Sequence, residues 1–150
     1  MSTRFSHSRV EVFDRCPFKY RLGYVDGLDT IPNTDADNAL ILGTALHTGI
    51  EEGVEQALDF YKNSFPVLTD DHIHEMMKLE AMIPKAKAML PPGGTFELPI
   101  GNADFIGFMD YLWPCGWDSR TNETLFDLYD FKYSNNAKNY AVSGQLHEYK

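Results

Sequence analysis

A chain of 150 residues with 43% hydrophobic and 13% aromatic content is long enough for one domain with a core, and too apolar to be disordered. Two cysteines, Cys16 and Cys115, exclude a disulfide framework, and no apolar run reaches the roughly 18 residues of a membrane span. The net charge of −9 argues against a protein held on DNA by bulk electrostatics. With no hydrophobic signal core in MSTRFSHSRV, the expectation is a cytoplasmic protein with free thiols.

Ser6 and Ser8 stand ready to cap a first helix, and Val10, Phe13, Pro17 and Tyr20 follow at near-helical spacing. Pro17 is placed to begin a second short helix, because proline is tolerated in a first turn. Arg4, Arg9, Arg15, Lys19 and Arg21 fall in the first 21 residues, whereas Leu22 to Tyr61 holds eight acids and no Lys or Arg. That asymmetry fits a nucleic-acid contact beside a metal site, or a solvated surface with patchy charge; charge alone favours the second. Arg15, Lys19, Tyr20, Arg21 and Tyr24 interleave cation and ring, a composition that suits DNA, with phosphate on the cations and base on the rings. An ordinary amphipathic helix with a basic outer face reads equally well from it.

After a turn-rich loop, DTIPNTDADN, a single long helix is predicted over residues 39–65. Gly43, His47, Ile50, Val54, Leu58 and Tyr61 share one stripe at steps of three or four. A second helix is predicted over 68–90, with Thr69 as N-cap, Asp70 and Asp71 in the first turn, and Pro84 as a kink or break. Then the period changes. TFELPI, ADFIGFMDYLW and TLFDLYDFKYS read as three strands, with turns at Asn102 and across CGWDSRTNE. YAVSGQLHEYK reads as the start of a helix in which the chain stops, so a C-terminal portion is expected to be missing.

Strand parity makes the acids conspicuous. Asp110 shares a face with Ile106, Phe108 and Leu112; Asp130 and Lys132 share one with Phe126 and Leu128. A buried, unpaired carboxylate costs several kcal/mol or shifts its pKa until neutral. A divalent cation between Asp110 and Asp130 removes that cost; an ion pair of Lys132 with either acid removes it as well. His47, on the apolar stripe one turn after Gly43, points at the sheet if Gly43 allows close approach, with Glu51 one turn further on. Imidazole plus carboxylates suits Mg²⁺ or Mn²⁺, Mn²⁺ somewhat more. Gln145 and Tyr149 lie on one face of the last helix.

Taken in order, SRVEVFDRCPFKYRLGYVDGL, GTALHTGIE, GFMD, YDFKYS and QLHEY resemble the RecB-like exonuclease branch of the PD-(D/E)XK nuclease superfamily, from about Ser6 to Tyr149. The resemblance implies an α/β, restriction-endonuclease-like fold: a mixed central sheet of about three to four strands with helices on both faces, as a single nuclease domain over 1–150, truncated before its last strand. It implies metal binding by His47, Asp110, Asp130 and the Phe131 carbonyl, with Asp110, Asp130 and Lys132 catalytic. Gln145 and Tyr149 contact DNA or support the site, and Glu97 stands where relatives carry a glutamate on the first strand. Cys16 matches the first cysteine of relatives with an iron–sulfur cluster, but three further ligands are lacking and no cluster is expected. The implied function is a Mg²⁺- or Mn²⁺-dependent DNA exonuclease in recombination, repair or phage DNA processing, with DNA as substrate, recombination or repair proteins as partners, and no membrane contact. Two other classes remain open: a non-catalytic DNA- or protein-binding module on the same fold, and a structural fragment whose polar residues form only an ion pair.

Overall fold

A computed structural model of the chain describes residues 4–134. The predicted final helix, with Gln145 and Tyr149, lies outside the described residues. No helix among the described residues is long and apolar enough to cross a membrane.

The N-terminal segment forms α1 (His7–Arg15), capped by the Ser6 hydroxyl, and a single turn α2 (Pro17–Tyr20) that starts on its proline. The next turn, Arg21–Val25, is π-helical. This segment buries none of its residues. It is tied to the sheet by a parallel bridge between Phe5 and Phe105, in which Ile106 N–H donates to the Phe5 carbonyl at 2.8 Å.

The core lies in three helices. Residues 39–65 form two helices and not the one that periodicity predicts: α3 (Ala39–Glu51) and α4 (Val54–Asn63). The break sits at Gly53, whose φ of 122° is open to glycine and strained for any other residue. The buried stripe of α3 is Leu42, Ala45, Leu46, Gly49 and Ile50, one step round the helix from the predicted one. Close approach occurs at Gly49, where an added Cβ would come within 2.8 Å of Ile83 Cγ1 and 3.0 Å of Ala57 Cβ; Gly43 faces open space. Helix α5 (Asp70–Ala88) runs through Pro84 without ending. It starts where expected, with Thr69 N–H donating to His72 Nδ1 at 3.2 Å. Leu42, Ile50, Tyr61, Leu79 and Ile83 are fully buried between these helices, and each of the four aliphatic side chains contributes about 1.5–3 kcal/mol by leaving water.

Three strands follow: β1 (Thr95–Gly101), β2 (Ile106–Asp118) and β3 (Glu123–Tyr129), in sheet order β1-β2-β3. Both pairings are antiparallel, so among the described residues the sheet is antiparallel and not mixed. Among the described residues, three strands and five α-helices make an α/β fold of the restriction-endonuclease-like kind. Asn102 makes the first turn by accepting the Asp104 and Phe105 amides on its side chain. Strand β2 runs four residues past its predicted loop start, through Cys115 and Gly116, because a register shift at Pro114/Gly116 absorbs the proline. Both cysteines are exposed free thiols. Strand β3 is shorter than predicted: its ladder ends at Tyr129, so Asp130 and Lys132 are not strand residues.

Candidate functional site

The site begins with register. Phe96 pairs with Tyr111 and Leu98 with Met109, which sets Glu97 opposite Asp110. Tyr111 pairs with Tyr129, so the next residues along are Asp110 and Asp130. Glu97, Asp110 and Asp130 therefore form one row across the sheet. Glu97 holds φ at 50° inside its strand, left-handed backbone that costs a non-glycine residue about 1–2 kcal/mol.

The face assignment made from alternation needs correcting. The inward face of β2 is Gly107, Met109 and Tyr111, while Phe108 on the Asp110 parity is 51% exposed. Likewise Phe126, on the Asp130 parity, is exposed, and it is Phe131 and Tyr133 that pack on the helical core. The acids share a face with apolar residues, but that face is not the one turned to the core. Asp110 is nevertheless enclosed, its side chain only 11% exposed, because α3 and the chain after β3 close over it.

His47 makes that closure, as the α3 helix carries it to the sheet. Its Nε2 lies 2.8 Å from the Phe131 carbonyl oxygen, and its Nδ1 lies 3.6 Å from Asp110 Oδ1. A carbonyl only accepts, so Nε2 carries the proton toward Phe131. In the neutral ring Nδ1 then presents a lone pair to a carboxylate oxygen, a repulsion that a proton or a metal cation between them removes. The Phe131 amide donates to Asp110 Oδ2 at 2.6 Å. Burial pushes the Asp110 carboxyl above its usual range; that amide and His47 offset part of the rise, and Asp130 adds to it. Lys132 Nζ donates to Asp130 Oδ1 at 2.7 Å, the ion pair that the sequence allowed as one solution.

One ligand atom each of His47, Glu97 and Asp110 lies within 4.8 Å of the others. Imidazole nitrogen with two carboxylates, from three elements, is a donor set that fits Mg²⁺ or Mn²⁺. Glu51 is not in this group; it ends α3, exposed, where its carbonyl accepts from Lys87 Nζ at 3.3 Å. It lines, with His47, Thr48 and Glu97, a cleft of about 310 Å³ beside the row. Arg15, Lys19, Tyr20 and Arg21 are not brought to the row. They lie in the N-terminal segment, where Arg15 pairs with Glu11 at 2.7 Å and Arg21 with Asp26 at 3.4 Å. Tyr20 packs edge-on to Phe13 and tilted against Tyr24, whose ring Arg9 covers at 4.6 Å.

One contact escapes a sequence reading. Tyr133 donates its hydroxyl to Glu75 Oε2 at 2.9 Å, and Lys78 Nζ donates to Glu75 Oε1 at 2.6 Å. Burial raises the Glu75 carboxyl, but the bonds from Lys78 and Tyr133 outweigh it and hold the group below its usual range. Burial and the Glu75 contact push the Tyr133 hydroxyl up to about 12. The signal was present: Glu75 is an acid on the His72, Leu79, Ile83 stripe of α5, where an apolar residue is the norm.

The family description that matches this chain is the PD-(D/E)XK nuclease superfamily, over residues 4–149. No curated protein matches it, and no solved structure does.

Proposed function

We propose, on the premise that the chain belongs to the PD-(D/E)XK nuclease superfamily, that it is a divalent-metal-dependent deoxyribonuclease of the RecB-like branch. It acts as an exonuclease at DNA ends, in recombination, repair or phage DNA processing, within the cytoplasm and beside the proteins of those processes. The observation that carries this reading is the approach of His47, Glu97 and Asp110 ligand atoms to within 4.8 Å, beside an Asp130 that tethers Lys132.

In this reading His47, Asp110, Asp130 and the Phe131 carbonyl hold Mg²⁺ or Mn²⁺, with Glu97 as a further ligand. The ion supplies Lewis acidity: it lowers the pKa of a bound water and offsets charge on the phosphate. Asp110 is oriented by the Phe131 amide, and His47 by the Phe131 carbonyl, so one residue sets two ligands. Lys132 places an ammonium beside the carboxylate row, where it orients the attacking water and stabilises the charge that builds on the phosphoryl oxygens. Arg15, Lys19, Tyr20 and Arg21 receive the DNA strand, and Gln145 and Tyr149 contact it or support the site. Family membership accounts for DNA as substrate in spite of the charge of −9, since part of that acid is the metal site.

A second reading has one observation in its favour. The Lys132–Asp130 pair, at 2.7 Å, satisfies both charges without metal, as a non-catalytic module on the same fold would. Titration with Mn²⁺ followed by digestion of end-labelled single- and double-stranded DNA decides between them. Metal-dependent release of mononucleotides that drops by about 10²–10³ in Lys132→Ala, with Mn²⁺ affinity kept, is the expected result. Mn²⁺ binding without cleavage would leave the non-catalytic module.

A further inference from the structure

The β3 ladder stops at Tyr129, yet the three groups that matter most, Asp130, the Phe131 carbonyl and Lys132, come after it. Past the ladder, the backbone of Phe131 makes two bonds: its N–H donates to Asp110, and its carbonyl accepts from His47. Both depend on groups that the proposed reaction itself engages. A segment anchored only by its reacting partners would shift whenever those partners change their bonds. The structure supplies a third anchor that takes no part in the chemistry. Tyr133 donates to Glu75 at 2.9 Å, and Glu75 is itself 9% exposed and fixed from its other oxygen by Lys78 at 2.6 Å.

The consequence for geometry follows from alternation in an extended chain. Phe131 and Tyr133 both pack on the helical core. Residues 130 and 132 must then point the other way, toward the carboxylate row. Phe131, with its two bonds and its packing, fixes the chain at a single residue. Tyr133, bonded to a helix that contributes no ligand, sets the direction of the chain on the far side of Lys132.

We propose that Glu75 is a positioning residue which, through the Tyr133 hydroxyl, holds the 130–133 segment so that Asp130 and Lys132 face the metal and the scissile phosphate. The inference rests on the nuclease reading above for what is positioned, and on the geometry alone for the anchor.

The test compares Tyr133→Phe, which removes only the hydroxyl, with Glu75→Ala and Glu75→Gln, the last retaining an oxygen that accepts from Tyr133. The first readout needs neither metal nor DNA: amide hydrogen exchange in the otherwise intact chain. Tyr133→Phe and Glu75→Ala should speed exchange at Phe131 and Lys132 by about tenfold or more, with the α3 and α4 amides unchanged, and Glu75→Gln should restore most of the protection. The second readout is DNA-end digestion at saturating Mn²⁺. kcat should fall about tenfold in Tyr133→Phe and Glu75→Ala, with KM within twofold and Glu75→Gln near the parent. Exchange that is unchanged, or faster throughout the protein, overturns the anchor and leaves Glu75 a stabilising residue only. Local exchange that speeds while kcat per folded molecule holds steady overturns the positioning role. A parent protein that cuts no DNA overturns the nuclease reading and the catalytic half of this one, and the exchange result still decides the anchor.

Discussion

Replacing Asp110 with asparagine should move stability and metal response in opposite directions. Asp110 is the enclosed middle of the Glu97–Asp110–Asp130 row, and a Glu97 oxygen lies within 4.8 Å of one of its own. Two unit charges at that distance repel by about 3.5 kcal/mol at an effective dielectric of 20. Solvent at the exposed Glu97 and the Lys132 ammonium beside Asp130 screen most of this, leaving roughly 1 kcal/mol. Asparagine is isosteric and keeps an oxygen for the Phe131 amide, so only the charge is lost. Without metal the variant should therefore melt about 2–4 °C higher. The sign also follows from titration. A carboxyl raised by burial lends its stability at low pH and loses it as the pH climbs through the carboxylate range, so the advantage of asparagine appears at neutral pH. With Mn²⁺ at a hundred times Kd the order reverses. Binding stabilises the parent by about 2.7 kcal/mol, or roughly 5–11 °C, and the variant by nothing measurable. Scanning calorimetry at pH 7, in EDTA and in Mn²⁺, reads both. A variant that melts lower in EDTA, or that keeps the parent's Mn²⁺ shift, would refute convergence on a shared cation.

Gly49→Ala should cost about 1–3 kcal/mol, since its methyl group meets Ile83 and Ala57 in the core, whereas Gly43→Ala should gain about 0.5–1 kcal/mol. Urea denaturation ranks them, and the reverse order would place the close helix contact at Gly43 and not at Gly49. Glu75, held below the usual carboxylate range, contributes stability above a pH of about 4.3 that is lost as the pH falls further. Melting temperature between pH 6 and 3 should drop more steeply in the parent than in Glu75→Gln, and parallel curves would show that the Lys78 and Tyr133 bonds do not favour the ionised form.

How much was legible follows from which patterns are local. Thr69 as a cap, Pro17 at a helix start, the Asn102 turn and the helices-then-strands order are written in residues within a few positions of one another, and the structure has them there. The break at Gly53 was written too, but an unbroken stripe from Gly43 to Tyr61 argued over it. Periodicity places a stripe only to within one step round a helix, and packing against α4 and α5 put Gly49 inside and His47 at the rim, 28% exposed.

By itself, the sequence singled out His47, Asp110, Asp130 and Lys132 as candidates, because charge read among apolar residues demands a partner. Which partner each one has was decided by tertiary structure. Register set Glu97 beside Asp110, the end of the β3 ladder left Asp130 and Lys132 beyond the strand, and α5 supplied Glu75 to hold the segment. The reason is physical. Composition and spacing report what a residue costs to bury, whereas the contact that offsets the cost joins residues 21, 58 or 84 positions apart, as in Asp110–Phe131, Glu75–Tyr133 and His47–Phe131, and only the folded chain brings them within bonding distance.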